Sequence, residues 1–504
     1  MGFNRQGMTD FTREHLRPDT AGQKRPVGKP LPVVGGAQSA PQRRHTPRSG
    51  KPPVVGLISL GCAKNLVDSE KMLGQIAESG AIISADELAA DTVLVNTCGF
   101  LGAAREEAMA VIAELAERKR RGQLKRIVVA GCLVQRDGEK IREQIPEVDA
   151  LVGVHNRDDI PEAVWGRAPA RAGRSRPNLF LGDYHAQPWS DTGRLRLTPQ
   201  HYAYVRISEG CDQKCTFCTI PSIRGPMRCK QPNELLAECH ELITDGAREL
   251  ILIGQDTTSY GRDIGYEPGL AGLLRFLDAR CEGARWIRLM YVYPTVLSDE
   301  VLDAVAECNR VLKYIDIPLQ HINDRMLKAM GRRINRAKTE ALLQRIRRRV
   351  PDVTIRTTFI VGFPGETEAE FHELLEFVRG FGFDAAGAFK FSFEAETPAA
   401  RMKEQLPEAV KEERYARFML AQQEVALAAA RAKIGQPLYL AVDGLDEAGR
   451  GYAARHAGQA PEVDSVTLLQ KGDFAPGQLL SAECIGTDGY DLIARPIRHT
   501  RQAR

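Results

Sequence analysis

Apolar runs that alternate with amphipathic segments predict strand–helix units from about residue 52 onward. The first runs cover residues 54–62, 91–98 and 126–132, and helical patterns at 66–79 and 103–120 separate them. Strands that alternate with helices in this way pair side by side in parallel. We therefore predict an N-terminal parallel α/β domain.

Each of the three apolar runs ends in a cysteine: Cys62, Cys98 and Cys132. The carboxyl ends of neighbouring parallel strands lie at one edge of a sheet, where sites form. We therefore expect the three thiols to converge and to suit an iron–sulfur cubane with one open iron. The alternative is three unrelated cysteines in strand–helix turns.

A second series of strand and helix patterns extends from about residue 201 to 433. Its helices include 234–245 and 337–350. The predicted strands are 203–207, 249–253, 286–290, 314–317, 354–359 and 385–389. Six such units are too few for a closed eight-fold barrel, and an active site is expected where the strands end.

A long charged helix over 407–434 precedes Gly435 and a run of short alternating strands. These strands cover 437–442, 451–454, 465–469, 479–485 and 490–494 and predict a small β-barrel. Between residues 435 and 494 there are nine acidic and three basic residues. An acidic barrel repels a phosphate backbone and favours a basic protein partner over tRNA.

The bulk composition is that of a globular protein of several domains: 504 residues, 43% hydrophobic and 27% charged, with a net charge of +4. No apolar run is long enough to span a membrane, and no secretory signal opens the chain. Eleven cysteines in so long a chain indicate a reduced compartment with metal-bound thiolates, so we expect a cytoplasmic protein.

The predicted organisation is a multidomain α/β chain. The first 50 residues carry nine Lys or Arg against three Asp or Glu, and we expect them to be a disordered basic tail, with loose attraction to RNA or ribosomes as the alternative. The predicted segments are 1–51 (tail), 52–165 (N-terminal domain), 166–200 (linker), 201–434 (core) and 435–501 (barrel).

Three further cysteines, Cys211, Cys215 and Cys218, have the spacing C-x3-C-x2-C after a short apolar strand. Cubanes usually take four cysteines, so three thiolates without a fourth nearby leave one iron open. A zinc knuckle or ordinary buried cysteines are the alternative. The remaining thiols lack a partner at ligand spacing and are predicted to be incidental: Cys229, Cys239, Cys281, Cys308 and Cys484.

The Cys211 motif, with Phe217 before its third cysteine, resembles that of the radical S-adenosylmethionine (SAM) enzymes. Gly61-Cys-Ala-Lys-Asn-Leu-Val-Asp-Ser-Glu70, Val95-Asn-Thr-Cys-Gly-Phe100 and Gly131-Cys-Leu-Val-Gln-Arg136 resemble the N-terminal domain of the methylthiotransferases. The resemblance implies a partial (β/α)6 radical-SAM barrel and a C-terminal TRAM-like β-barrel. It also implies two [4Fe-4S] clusters, an auxiliary one on the first three cysteines and a SAM-binding one on Cys211, Cys215 and Cys218.

The same resemblance suggests SAM contacts at Phe217, Gly254, Gln255 and Gly362, although each glycine or polar residue also suits a plain turn. Gln320 and His321 are expected either at the barrel mouth or as a helix cap.

Several other polar residues near the motifs have two interpretations. Arg224 and Arg228 are expected in a solvated loop, with pairing to a carboxylate as the alternative. His185 and Trp189 are expected to pack a domain junction rather than gate the site. The polar residues after Cys62 are expected to start and solvate a helix rather than contact the auxiliary site; they are Asn65, Asp68, Ser69 and Glu70.

Within the methylthiotransferases, Ser59-Leu-Gly-Cys-Ala-Lys-Asn65 and Pro318-Leu-Gln-His321 resemble the branch that modifies an aspartate β-carbon of small-subunit ribosomal protein S-twelve. Lys64 stands where the tRNA branch usually has Met, and Ala63 departs from a common proline. The resemblance implies that one SAM methylates a sulfur and that a second supplies a radical.

The implied partners are ribosomal protein S-twelve and an electron donor such as flavodoxin or ferredoxin, and we expect a monomer. The alternatives are a tRNA (isopentenyl-adenosine) methylthiotransferase, a two-cluster electron carrier, or a zinc-bearing ribosome-binding scaffold.

Overall fold

The computed structural model of the chain describes residues 51–167, 178–182, 190–470 and 472–497. Two predictions lie outside these residues. They are the basic tail, apart from its last residue, and the junction role of His185 and Trp189.

The N-terminal domain is a parallel sheet with the strand order β2-β1-β3-β4-β5-β6. Val, Ile and Leu fill its central strands, and both faces are covered, as parallel sheets require. Its elements are β1 (Val54–Ser59), α1 (Ala63–Glu78), β2 (Ile82–Ile83), β3 (Thr92–Thr97), α2 (Gly102–Arg120), β4 (Arg126–Gly131), α3 (Cys132–Asp137), α4 (Lys140–Gln144), β5 (Ala150–Gly153), α5 (Ile160–Val164) and β6 (Leu179–Phe180).

The described parts of the predicted linker are built into the structure. Strand β6 pairs with β5 and completes the N-terminal sheet. Further along, Asp191 and Arg194 are buried. The absence of periodicity predicts a linker, and two of its side chains are held by charged partners that are distant in sequence.

The core consists of six parallel strands in two three-stranded groups, β11-β10-β7 and β12-β13-β14, and a bridge between Ile287 and Val311 links the two groups. This is the predicted open, partial barrel. Its main elements are β7 (Tyr202–Arg206), β8 (Ser208–Glu209), α6 (Ile220–Arg224), β9 (Arg228–Cys229), α7 (Pro232–Thr244), β10 (Glu249–Ile253), α8 (Gly269–Arg280), β11 (Trp286–Leu289), α9 (Asp299–Glu307), β12 (Tyr314–Asp316), α10 (Asp324–Ala329), α11 (Arg336–Arg349), β13 (Thr354–Val361), α12 (Glu368–Phe381), β14 (Ala385–Lys390) and α13 (Glu408–Arg431).

The C-terminal domain is a closed barrel in the order β15-β16-β17-β19-β18. Closure removes the unpaired edges that such short strands would otherwise expose. Its strands are β15 (Pro437–Leu445), β16 (Tyr452–His456), β17 (Thr467–Leu469), β18 (Leu479–Asp488) and β19 (Asp491–Pro496).

Several of the barrel's acidic side chains face the core and not solvent. The Asp464 carboxylate accepts hydrogen bonds from Tyr314 and Arg356, at 2.7 and 3.2 Å. Asp443 forms an ion pair with Arg455 and a contact of 2.8 Å with the His201 ring. The acidic excess counted in the sequence therefore overstates the charge that the barrel offers to a partner.

None of the described helices is both long and apolar enough to cross a lipid bilayer.

Candidate active site between the N-terminal domain and the core

Cys62, Cys98 and Cys132, here called the N-terminal trio, lie at the carboxyl ends of β1, β3 and β4. Two glycines allow their loops to approach one another. A Cβ on Gly61, whose φ is +96°, would lie 2.8 Å from the Cys98 Cβ, and a Cβ on Gly99 would lie 2.7 Å from the Cys132 carbonyl carbon. All three thiols are free.

The three thiols also interact electrostatically. Burial, followed by the nearby Cys132 and Cys62, raises the pKa of Cys98 to about 12. Burial also opposes ionisation of Cys62, but Lys64 and Arg224 hold the pKa of that thiol below its usual value. The trio is thus a set of converging thiols with two cations beside it.

Cys211, Cys215 and Cys218, here called the core trio, lie on the loop between β8 and α6. The Cys211 N–H donates to the Gly225 carbonyl at 3.1 Å, and the Cys218 Sγ accepts from the Ile220 N–H at 3.5 Å. Burial raises the pKa of both Cys211 and Cys218 to about 12. Without a metal these thiols are therefore neutral at pH 7, and their binding to iron as thiolates would release protons.

Helix α6 connects the two trios. It begins two residues after Cys218 and ends at Arg224, whose Nε and Nη2 donate to the Cys132 Sγ at 3.3 and 3.1 Å. Ile223 packs against Cys132 and Val154. Helix α6, which follows the core trio, therefore places the Arg224 guanidinium beside the N-terminal trio.

Arg224 belongs to a buried charge network that crosses the contact between the domains. Its Nη1 donates to Asp68 at 2.9 Å and to Glu209 at 3.1 Å. Asp68 also accepts from Arg206, which in turn pairs with Asp191. The expectation of a solvated Arg224 is wrong, because its partners Asp68 and Cys132 come from the other domain. Arg228 is also buried.

The polar residues that follow Cys62 are buried as well, so the prediction that they solvate a helix is wrong. The Asn65 side chain accepts from Arg224 at 2.5 Å, donates to the Thr97 carbonyl at 2.9 Å, and lies 3.5 Å from the Cys132 Sγ. Glu70 accepts from the backbone of Leu197. Asn65 therefore contacts the N-terminal trio, which was the less favoured of the two interpretations in the sequence analysis.

Of the residues predicted to contact SAM, Phe217 packs directly against the core trio. Phe217 is 8% exposed and packs in an apolar cluster with Cys215 and Cys218. At the end of β10, a Cβ on Gly254 would lie 2.6 Å from the Ser208 Oγ. Gln255 donates to Glu209 at 2.8 Å, while its Oε1 is buried with no hydrogen-bond partner among the described residues.

The surroundings of Gly362 are filled by other residues of the chain. Its φ is +72°, a Cβ would lie 2.5 Å from Lys411, and its N–H donates to Glu366 at 2.7 Å. Glu366 also contacts the His321 ring at 3.0 Å, and His321 is fully buried. His321 accepts from the Asn323 N–H at the start of α10, so it supports the helix end rather than facing the barrel mouth.

The sequence analysis assigned no role at the site to two residues that lie near the N-terminal trio. Lys64 is 4% exposed, and its Nζ lies 3.4 Å from the centroid of the Tyr291 ring. Tyr291 follows β11 and has a φ of +61°. For Lys64, the sequence signal is its place in the motif directly after Cys62 and Ala63. Nothing in the residue pattern indicates the positive φ of Tyr291.

Among the described residues, no group of three His, Cys, Asp or Glu side chains converges on the position of one metal ion.

Three family profiles together match most of the chain. The profile described as "Radical SAM superfamily" matches residues 205–378, "Uncharacterized protein family UPF0004" matches residues 54–153, and "TRAM domain" matches residues 434–497.

The similar relatives include proteins named "Ribosomal protein uS12 methylthiotransferase RimO". The protein from Anaeromyxobacter sp. (strain K) is 42% identical over 88% of this chain and 93% of its own length. The protein from Trichlorobacter lovleyi is 41% identical over 88% and 98%, and that from Symbiobacterium thermophilum is 41% identical over 92% and 93%. Among solved structures, a radical SAM methyltransferase, TsrM from Kitasatospora setae, has a TM-score of 0.49 at 14% identity over 69% of this chain and 77% of that chain.

Proposed function

Because the chain belongs to the ribosomal protein uS12 methylthiotransferase family, we propose that it is a radical SAM enzyme that adds a methylthio group to an aspartate β-carbon of uS12, the small-subunit protein S-twelve. The observation that supports this reaction best is the pair of cysteine trios joined by α6. A methylthiolation of an unactivated carbon needs both a radical source and a sulfur source, and two separate thiol sites fit that need.

The donor sets suit iron–sulfur clusters. Each trio offers three free thiols, one fewer than a cubane takes, so each would leave one iron open. We propose that the core trio holds the [4Fe-4S] cluster that binds SAM and that the N-terminal trio holds the auxiliary [4Fe-4S] cluster. When bound, these groups supply electron transfer, reductive cleavage of SAM and the transferred sulfur.

The chain's own residues hold and shield these groups. Phe217 and its apolar neighbours exclude water from one side of the core trio. Arg224 places a cation on the Cys132 sulfur, where it would stabilise a thiolate ligand. The Gln255 Oε1, which accepts no hydrogen bond from any described residue, would fit a donor such as the amino group of SAM. Gly254 and Gly362 are proposed to let the backbone approach SAM.

An external one-electron donor, a flavodoxin or ferredoxin, would complete the system. This need follows from the reductive cleavage of SAM, which consumes one electron for each SAM cleaved.

The test is reconstitution of the purified chain with iron and sulfide under anaerobic conditions, followed by incubation with SAM, a reductant and uS12. We expect about eight irons per chain and a uS12 mass increased by one SCH3 in place of one hydrogen. In a parallel reaction with unmodified tRNA, the nucleosides should stay unchanged. Methylthiolation of tRNA and not of uS12 would overturn the proposal.

A further inference from the structure

Lys64 is a buried cation for which none of the described carboxylates provides an ion pair. The side chain is 4% exposed, and its Nζ lies over the Tyr291 ring, 3.4 Å from the centroid. A buried lysine normally has a paired acid, because transfer of its charge from water costs several kcal/mol. The aromatic face offsets part of that cost, and a full negative charge would offset more.

The position of Lys64 in its helix increases the cost. It is the second residue of α1, where the positive end of the helix dipole disfavours a cation. Acidic residues, which would compensate it, are absent from that first turn. A cation in such a place is expected to serve a ligand rather than the stability of the helix.

Tyr291 is fixed beneath Lys64 by a strained backbone. Its φ of +61° is rare for an aromatic residue. Three contacts hold it. Its N–H donates to Asp316 at 3.1 Å, and its carbonyl accepts from the Thr257 N–H and Oγ1 at 3.1 and 3.0 Å. Strain held in this way at the end of a barrel strand is typical of functional positions.

Lys64 also lies at the contact between the N-terminal domain and the core, because its ammonium covers the Tyr291 ring. It is two residues from Cys62 of the N-terminal trio, and Tyr291 follows β11 of the core. An anionic group on a substrate held between the two trios would therefore reach this ammonium.

We propose that Lys64, held over Tyr291, is a specificity-determining residue that binds the side-chain carboxylate of the acceptor aspartate on the substrate. This inference rests on the proposed function and adds to it the group that distinguishes an acidic side chain from a neutral acceptor. Charge-assisted hydrogen bonds in a desolvated site are worth enough to favour Asp over Asn by about 10- to 100-fold in affinity.

The experiment measures equilibrium binding of uS12 to the reconstituted, SAM-loaded protein without reductant, so that no turnover occurs. Fluorescently labelled uS12 and its variant with Asn at the acceptor aspartate are each titrated against wild type, Lys64→Met and Lys64→Arg. Wild type is expected to bind the Asp form about 10- to 100-fold more tightly, Lys64→Met to bind both forms alike, and Lys64→Arg to keep part of the preference.

Lys71→Met is the matched control, because Lys71 lies on the same helix and its Nζ donates to the Thr192 carbonyl. It should keep the full preference and the wild-type iron content. Equal binding of Asp and Asn forms by wild type would overturn the inference whether or not the variants fold, as would a Lys64→Met preference equal to that of wild type. Iron loss in Lys64→Met together with an unchanged preference would instead assign Lys64 to the cluster. Failure of wild type to bind or methylthiolate uS12 at all would reject the proposed function itself.

Discussion

At the scale of the residue, Arg224 links the two domains at the site, because its guanidinium donates to both the Cys132 Sγ and Asp68. The cysteines could be found from the sequence because their spacing and their place at strand ends are local. The burial of Arg224 could not, because its partners Asp68 and Cys132 are 156 and 92 residues away. A buried network also differs little in composition from a solvated one, so its members appear in a single sequence as ordinary surface charges.

Arg224→Met should weaken the N-terminal cluster and spare the core cluster. The guanidinium that donates to the Cys132 Sγ is lost, and groups beside a metal ligand typically contribute about 10- to 100-fold to metal affinity. Iron analysis after reconstitution should fall from about eight towards about four per chain. Arg121→Met, which removes an exposed arginine paired with Glu117, is the control. Full iron content in Arg224→Met would refute this role.

Gln255→Leu should weaken SAM binding by about tenfold, since it removes a buried carbonyl that has no described partner. Equilibrium dialysis with labelled SAM measures the effect. Unchanged affinity, with an intact core cluster, would show that Gln255 serves only Glu209, to which it donates at 2.8 Å.

At the scale of the element, the strands and most helices could be predicted, because alternation and apolar runs fix them locally. The predicted 249–253 strand and the observed β10 (Glu249–Ile253) coincide. The short strand β6 and the loops that carry cysteines could not be placed from a pattern. Their geometry depends on close approaches such as that of Gly210, where a Cβ would lie 2.2 Å from the Pro226 carbonyl oxygen.

Gly210→Ala should prevent the core-trio loop from closing. The residue has a φ of +78° and meets backbone, which cannot move aside as a flexible side chain would. Gly265→Ala is the matched control: its φ is +64°, but open space surrounds it. In both variants, alanine at a positive φ should cost roughly 1 kcal/mol of stability. Gly210→Ala alone of the two should also lose the core cluster, which would appear as a loss of about four irons per chain. Equal iron content in both would contradict the account of this loop.

At the scale of the whole molecule, three domains are joined by buried charges. The sequence predicted their number and order, but it could not show that acidic residues of the barrel bind the core. Glu462 accepts hydrogen bonds from Tyr202 and Tyr204, at 2.9 and 3.2 Å. Such contacts hold the barrel against the core. Because they use acidic side chains of the barrel, the net charge of the barrel is weaker evidence for a protein substrate over an RNA substrate.

Asp443 should make the joint between barrel and core sensitive to acid. Arg455, followed by His201, outweighs burial and lowers the pKa of Asp443 to about 2, from an ordinary value of about 3.9. A carboxyl whose folded pKa is depressed stabilises the fold above its unfolded pKa, and that contribution disappears as pH falls from about 4 to about 2. At pH 7 Asp443→Asn should lower the free energy of unfolding by about 2 kcal/mol in urea titrations. The difference from wild type should shrink towards zero near pH 2, and a pH-independent difference would contradict this assignment.

The proposed reaction requires different roles for the two cysteine trios: SAM cleavage at the core trio and sulfur transfer at the N-terminal trio. The direct measurement is the simultaneous yield of 5′-deoxyadenosine and of methylthiolated uS12 from reconstituted Cys98→Ala and Cys211→Ala proteins. We predict that Cys211→Ala produces neither, whereas Cys98→Ala still cleaves SAM and leaves uS12 unmodified. Methylthiolated uS12 from the Cys98→Ala protein would contradict the account.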